Sequence, residues 1–148
     1  LEGNAAVRLR DVKSRLSVLG TEFTQNLLAD ERSWFMALAE TDLEGLPDFV
    51  IATARAAGIE KDADGPVVTL SRSLIVPFLQ FSPMRDLRKT ANEAWVARGE
   101  NGGETDNRGI AAETLALREE RANLLGYDTF ADYKLETEMA GIPKAGLL

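Results

Sequence analysis

The chain has 148 residues, 45% of them hydrophobic, enough to bury roughly 70% of its unfolded surface, which excludes a disordered tail. Its 17 basic and 24 acidic residues leave a net charge of -7, which disfavours binding to a phosphate backbone or an anionic membrane surface, and no local basic run reverses this. With no cysteine and no histidine, disulfides, thiolate metal sites and histidine-based acid–base or metal chemistry are all excluded from this sequence.

No apolar run approaches the ~20 residues that span a bilayer, and the opening residues, LEGNAAVRLRD, lack the apolar core of a signal peptide. The start at Leu1 rather than methionine is what excision from a longer polypeptide, or processing, would produce, and excision is the expectation. The absence of cysteine and of any Asn-x-Ser/Thr site is compatible with a reducing cytoplasm, the expected compartment.

From Ala5 to about Asp30, Leu9, Val12, Leu16, Leu19, Phe23 and Leu27 recur at steps of three and four, which predicts one long helix with a buried face. Gly20 and the shortness of the repeat favour packing within a domain over a coiled-coil seam. Trp34, Phe35, Met36 and Leu38 are too dense for an amphipathic helix and predict an extended segment or turn. Pro47 suits the first turn of a second helix, with Asp48 favourable at its positive end and Gly58 as its stop. Lys61 to Pro66 reads as a turn, and Val67 to Leu70 as a short strand. Leu74 to Phe81 is expected to continue extended, pairing with that strand as a hairpin with Pro77 at its edge.

Ser82 and Pro83 predict a helix start, Leu87, Ala91, Ala94 and Trp95 its inward face, and Gly99 its end. GENGGETD, from Gly99 to Asp106, reads as a flexible loop. A further long helix is expected from Asn107, carrying Ile110, Leu115, Leu117, Ala122, Leu124 and Leu125, and ending where Gly126 takes the left-handed conformation. Asp128 or Thr129 then caps a last helix containing Phe130, Tyr133, Leu135 and Met139. The fold class is therefore mainly α, a single helical segment over 1–148 with a short β-hairpin or extended segment near residues 67–81. Nothing repeats at a fixed period.

Several local patterns resemble sites and fail. Glu60 to Gly65 (EKDADG) has the alternating oxygen donors of a calcium loop, but Ser71 stands where the pattern requires a bidentate glutamate. Gly99, Gly102 and Gly103 lack the leading strand and following Lys-Ser/Thr pair of a phosphate cradle. Glu119/Glu120 and Glu136/Glu138 are too close in sequence to face one another on a helix and read as solvated faces with Arg118, Arg121 and Lys134. No serine or threonine has a local activating base. Trp34, Trp95, Tyr127, Phe130 and Tyr133 read as core aromatics. No residue is assigned a catalytic, cofactor-binding or metal-binding role, and no substrate-binding residue is identified.

A resemblance runs through the chain in ordered blocks: Leu19 to Leu28 (LGTEFTQNLL), Leu43 to Asp48 (LEGLPD), Val68 to Leu70 followed by Pro77, Arg85 to Ala94 (RDLRKTANEA), Trp95 to Arg108 (WVARGENGGETDNR), and Leu117 to Ala140 (LREERANLLGYDTFADYKLETEMA). Together they cover roughly residues 9–142 and resemble the thimet oligopeptidase (M3) group of zinc metallopeptidases. The pattern of Tyr127, Phe130, Tyr133 and Glu136 favours the peptidyl-dipeptidase Dcp branch over the oligopeptidase A branch. Gly141 to Leu148 fits the family pattern poorly.

The resemblance implies a mostly helical, clam-like enzyme several times longer than this chain, whose channel admits short peptides and whose zinc is held by an HExxH helix with a further downstream glutamate. Dcp-type members release dipeptides from the C-terminal end of oligopeptides. The region resembled lies before the zinc-binding half, in the helical wall of the channel. The expectation is thus a non-catalytic piece of a zinc peptidyl-dipeptidase, inactive alone and partnered by the remainder of the same polypeptide, with neither nucleic acid nor membrane as partner. The alternative is a stand-alone helical interaction module without enzymatic activity.

Overall fold

A computed structural model describes residues 3–147. In chain order they form α1 (Asn4–Ser33), β1 (Phe35–Ala37), a 3-10 turn at Glu40–Leu43, α2 (Asp48–Glu60), β2 (Val67–Thr69), α3 (Arg72–Phe81), α4 (Arg85–Val96), α5 (Arg108–Leu124), α6 (Phe130–Leu135) and a terminal 3-10 stretch at Pro143–Leu147. The chain is mainly α, as its periodicity predicts. Among the described residues, no helix is long and apolar enough to cross a membrane. The elements group into two compact units, one comprising residues 1–24 and 107–148, the other residues 25–106.

In the second unit, Leu38, Leu43, Leu46, Val50, Ala54, Val68, Leu70, Leu74, Ile75, Phe78 and Ala91 form one buried cluster. Trp34 and Trp95 pack against it, as their reading as core aromatics requires. Leu87 and Ala94 join Trp95 there, so α4 turns inward the face expected of it.

The expected hairpin of residues 67–81 is replaced by a different pairing. β2 lies antiparallel to β1, with Phe35 opposite Thr69, Met36 opposite Val68 and Ala37 opposite Val67. Residues 74–81, expected to be extended, belong instead to α3, with Pro77 inside the helix. Leu74, Ile75 and Phe78 are the reason: their spacing places them on one helical face, and each is at most 1% exposed. An internal proline costs about 3 kcal/mol, whereas burying each such side chain returns about 1.5–3 kcal/mol. The start of α3 is secured by the Ser71 carbonyl, which accepts from the amides of Leu74 (2.9 Å) and Ile75 (2.8 Å).

Three helix boundaries also differ from expectation: α6 ends at Leu135, leaving Met139, expected within it, outside the helix and fully exposed, and the limits of α2 and α4 shift as well. α2 runs through Gly58 and ends at Glu60, with Asp62 beyond it in the left-handed region at φ 53°. Gly58 is buried rather than terminal, and a Cβ placed there would lie 2.0 Å from the Gly65 carbonyl oxygen. α4 begins at Arg85, with Ser82 and Pro83 outside it. The Ser82 hydroxyl accepts from the Met84 amide (3.2 Å), its carbonyl accepts from Arg88, and the Pro83 ring closes against Gly45.

In the first unit, α1 and α5 run antiparallel. Arg8 binds Glu120 bidentately at 2.6 and 2.8 Å, and Arg15 binds Glu113 in the same manner. The Asn107 side-chain amide donates to the Phe23 carbonyl at 3.0 Å. Residue numbers rise along one helix as they fall along the other, and each arginine stands two turns from the next. Both ion pairs are solvent-exposed and screened by salt, so they set register more than they add stability.

α5 stops where expected: Gly126 has φ 90°, and the Tyr127 amide donates to the Ala122 carbonyl at 3.0 Å. Thr129 opens α6 in a reciprocal cap, accepting from the Asp132 amide at 3.2 Å while Asp132 accepts from the Thr129 amide at 3.1 Å. Thr129→Ala is expected to cost about 1 kcal/mol, measured by urea unfolding. A change under a few tenths would mean that α6 is held by its packing alone.

Candidate functional site

The turn at Gly126 folds α6 back toward α5, and this corner carries the first unit's densest collection of aromatic and cationic side chains. The Tyr127 and Tyr133 rings meet edge-on with centroids 5.3 Å apart, and Phe130 lies 6.0 Å from Tyr133. Arg118 and Arg121, one turn apart on α5, both reach these rings. The Arg118 guanidinium sits 5.3 Å from the Phe130 centroid, and that of Arg121 sits 5.4 Å from Phe130 and 5.0 Å from Tyr133.

Beside this stack is a cavity of about 470 Å³, walled by Leu16 and Gly20 of α1, Arg118 and Arg121 of α5, and Phe130 and Tyr133 of α6, among others. Gly20 forms open wall, since a Cβ there would meet nothing within 4 Å. The Nε of Arg121 is buried and has no hydrogen-bond partner among the described residues.

Three of the four paired carboxylates are engaged by neighbouring side chains. Glu120 accepts both hydrogen bonds of Arg8, which hold it below the ordinary glutamate range, and Glu138 is lowered likewise by its hydrogen bond from Lys134 at 2.8 Å. Glu136 accepts from the Tyr127 hydroxyl, and that bond pushes the phenol up. Arg121, by contrast, does not stand on the solvated face expected of it; it lies half-buried under two aromatic rings. The spacing Arg118, Arg121 followed by Tyr127, Phe130, Tyr133 carried that signal, but only with the reversal at Gly126 do the two groups meet.

In the second unit, the glycine-rich loop is not the free connection its composition predicts. Asp30, 7% exposed, accepts from the Gly99 amide (2.7 Å), the Asn101 side-chain amide (3.0 Å) and the Thr105 hydroxyl (2.6 Å). A loop whose glycines could have cradled an external anion thus encloses the chain's own carboxylate. Burial by itself pushes this carboxyl up, but the bonds from Thr105, Gly99 and Asn101 together outweigh it and hold Asp30 below the ordinary aspartate range. Arg98, bound to Glu31 and stacked 5.4 Å from the Trp95 ring, ties the same loop entry to α1.

Comparison with known proteins adds what the geometry lacks. The sequence profile of peptidase family M3 matches residues 78–147. The chain is 32% identical over 142 residues to oligopeptidase A of Salmonella typhimurium (strain LT2), covering 93% of this chain and 21% of that protein, and equally so to oligopeptidase A of Escherichia coli (strain K12). It is also 32% identical over 147 residues to the dipeptidyl carboxypeptidase of Escherichia coli (strain K12), covering 91% of this chain and 21% of that protein. The chain therefore spans about a fifth of the length of the curated relatives it matches.

Proposed function

This chain is a relative of peptidase family M3, and on that footing we propose that it is a helical, non-catalytic segment of a zinc-dependent peptidase of short peptides, part of the wall of the substrate channel. The observation that carries this reading is similarity along more than nine-tenths of the chain to peptidases about five times its length.

The donor set of this chain does not fit a zinc ion. The sequence has neither histidine nor cysteine, and among the described residues no group of three or more carboxylates could hold a metal. No step of peptide hydrolysis is assigned to any residue here. The zinc, its HExxH helix and the general base are proposed to lie in the remainder of the parent polypeptide, which is also this segment's proposed partner. Identity is the same toward oligopeptidase A and dipeptidyl carboxypeptidase, so the proposal of the dipeptide-releasing branch rests on Tyr127, Phe130, Tyr133 and Glu136. A cytoplasmic location is proposed from the cysteine-free composition.

The test is to read the source coding frame beyond Leu148 for HExxH with a further glutamate downstream, and to incubate this chain alone with zinc and an oligopeptide. The expected result is the motif in the frame and no cleavage by the isolated chain. A stop codon directly after Leu148 would overturn the reading in favour of a stand-alone interaction module. Cleavage by the chain alone would overturn its non-catalytic assignment.

A further inference from the structure

The cavity at the α5–α6 corner has more cationic capacity than its neighbours use. We infer that it is a binding site for a carboxylate carried on an apolar body. Arg118 and Arg121 face the same aromatic wall, and among the described residues neither has a carboxylate partner, although acidic residues outnumber basic ones 24 to 17 in this chain. Elsewhere in the same unit Arg8 and Arg15 are both taken up bidentately by glutamates. The buried, unpartnered Nε–H of Arg121 is a charged donor out of water, a state that costs free energy unless an acceptor arrives.

The remaining lining suits such a ligand. Lys134 adds a third cation, already shared with Glu138, and Glu136, the one acidic side chain in the lining among the described residues, is engaged by the Tyr127 hydroxyl. Thr114 and Thr137 add hydroxyl groups. A guanidinium presents a planar fork of N–H groups that matches a carboxylate in two-point contact. Leu16, Phe130 and Tyr133 supply the apolar surface for the body of the ligand, and about 470 Å³ lies within the ordinary range of small-molecule sites. The assignment does not depend on the peptidase reading.

The test is calorimetric titration of the full chain with N-acetylphenylalanine, its C-terminal amide, inorganic phosphate, and N-acetyl-tetraalanine with a free carboxylate. The acid is expected to bind at least tenfold more tightly than the amide and than phosphate. Tenfold tighter binding of the peptide than of N-acetylphenylalanine would identify a chain end as the source of the carboxylate, and the reverse order a free organic acid; either supports the site. Arg121→Met, which keeps the apolar stem on the rings, and Gly20→Leu, which fills the cavity from a position with open space beside it, are each expected to weaken acid binding at least tenfold with unchanged circular dichroism. Equal binding of acid and amide, preference for phosphate, no binding of any probe, or affinity unchanged in both variants would overturn the site.

Discussion

Gly58→Ala is expected to lower the stability of the second unit by about 3 kcal/mol net, a fall in Tm on the order of 6–12 °C for a chain of this size. Gly58 lies within α2, and a methyl group there would stand 2.0 Å from the Gly65 carbonyl oxygen and 3.0 Å from its carbon. The obstacle is backbone, which cannot rotate aside as a side chain can. Relief requires α2 to move away from the turn that leads into β2, and both ends of that movement are anchored. Val50 and Ala54 of α2 and Val68 of β2 belong to one buried cluster, while the Leu38 amide donates to the Pro66 carbonyl at 2.9 Å. The alanine would by itself favour the helix by about 1 kcal/mol, already included in the net figure. Thermal unfolding followed by circular dichroism measures the effect; a loss below 1 kcal/mol would mean that the helix and the Gly65 turn do not approach as described.

Asp30→Ala should be comparably severe, about 3–4 kcal/mol, since three donors lose one shared, charged acceptor and the Gly99 amide is left buried without it. The effect also has a pH signature. Asp30 is held below its ordinary value in the folded state, so its contribution is fully present above the unfolded-state pKa of about 3.9 and is lost as pH falls through the lower folded-state value. Urea unfolding of the wild-type chain and of Asp30→Asn between pH 7 and pH 2 would isolate this term. The variant should be less stable at neutral pH and converge toward wild type at the acid end. Parallel profiles would show that the carboxylate charge does not hold the loop.

Much of the fold was legible because it is written in local spacing. The three- and four-residue steps from Leu9 to Leu27 predict α1, Pro47 and Asp48 the start of α2, and Gly126 the end of α5, since each rests on the conformational limits of one or a few adjacent residues. Reading residues 74–81 as extended failed because it carried the strand at Val67 to Leu70 onward and set Pro77 at a hairpin edge, whereas the burial of Leu74, Ile75 and Phe78 decided the outcome. The partner of β2 was misplaced for the same reason. A hairpin is the nearest pairing in sequence, but Met36 was available across α2 to stand opposite Val68. At the candidate site Tyr127, Phe130 and Tyr133 were read as core aromatics, whereas all three are only partly buried and Phe130 and Tyr133 line the cavity, and the orientation of Arg121 toward them was not legible at all.

The sequence by itself determined the mainly helical class, the absence of metal-binding histidine and cysteine, and the resemblance to M3 peptidases, all properties of composition, periodicity and order along the chain. Tertiary structure alone decided that Gly58 is a point of close backbone approach rather than a helix stop. It also decided that Asp30 gathers donors 69 to 75 residues away, and that two arginines one turn apart line a cavity with aromatic rings instead of pairing with nearby glutamates. The physical reason is common to all three: each depends on the free energy of a group meeting a partner brought beside it by the packing of other elements, and no local propensity encodes which partner that is.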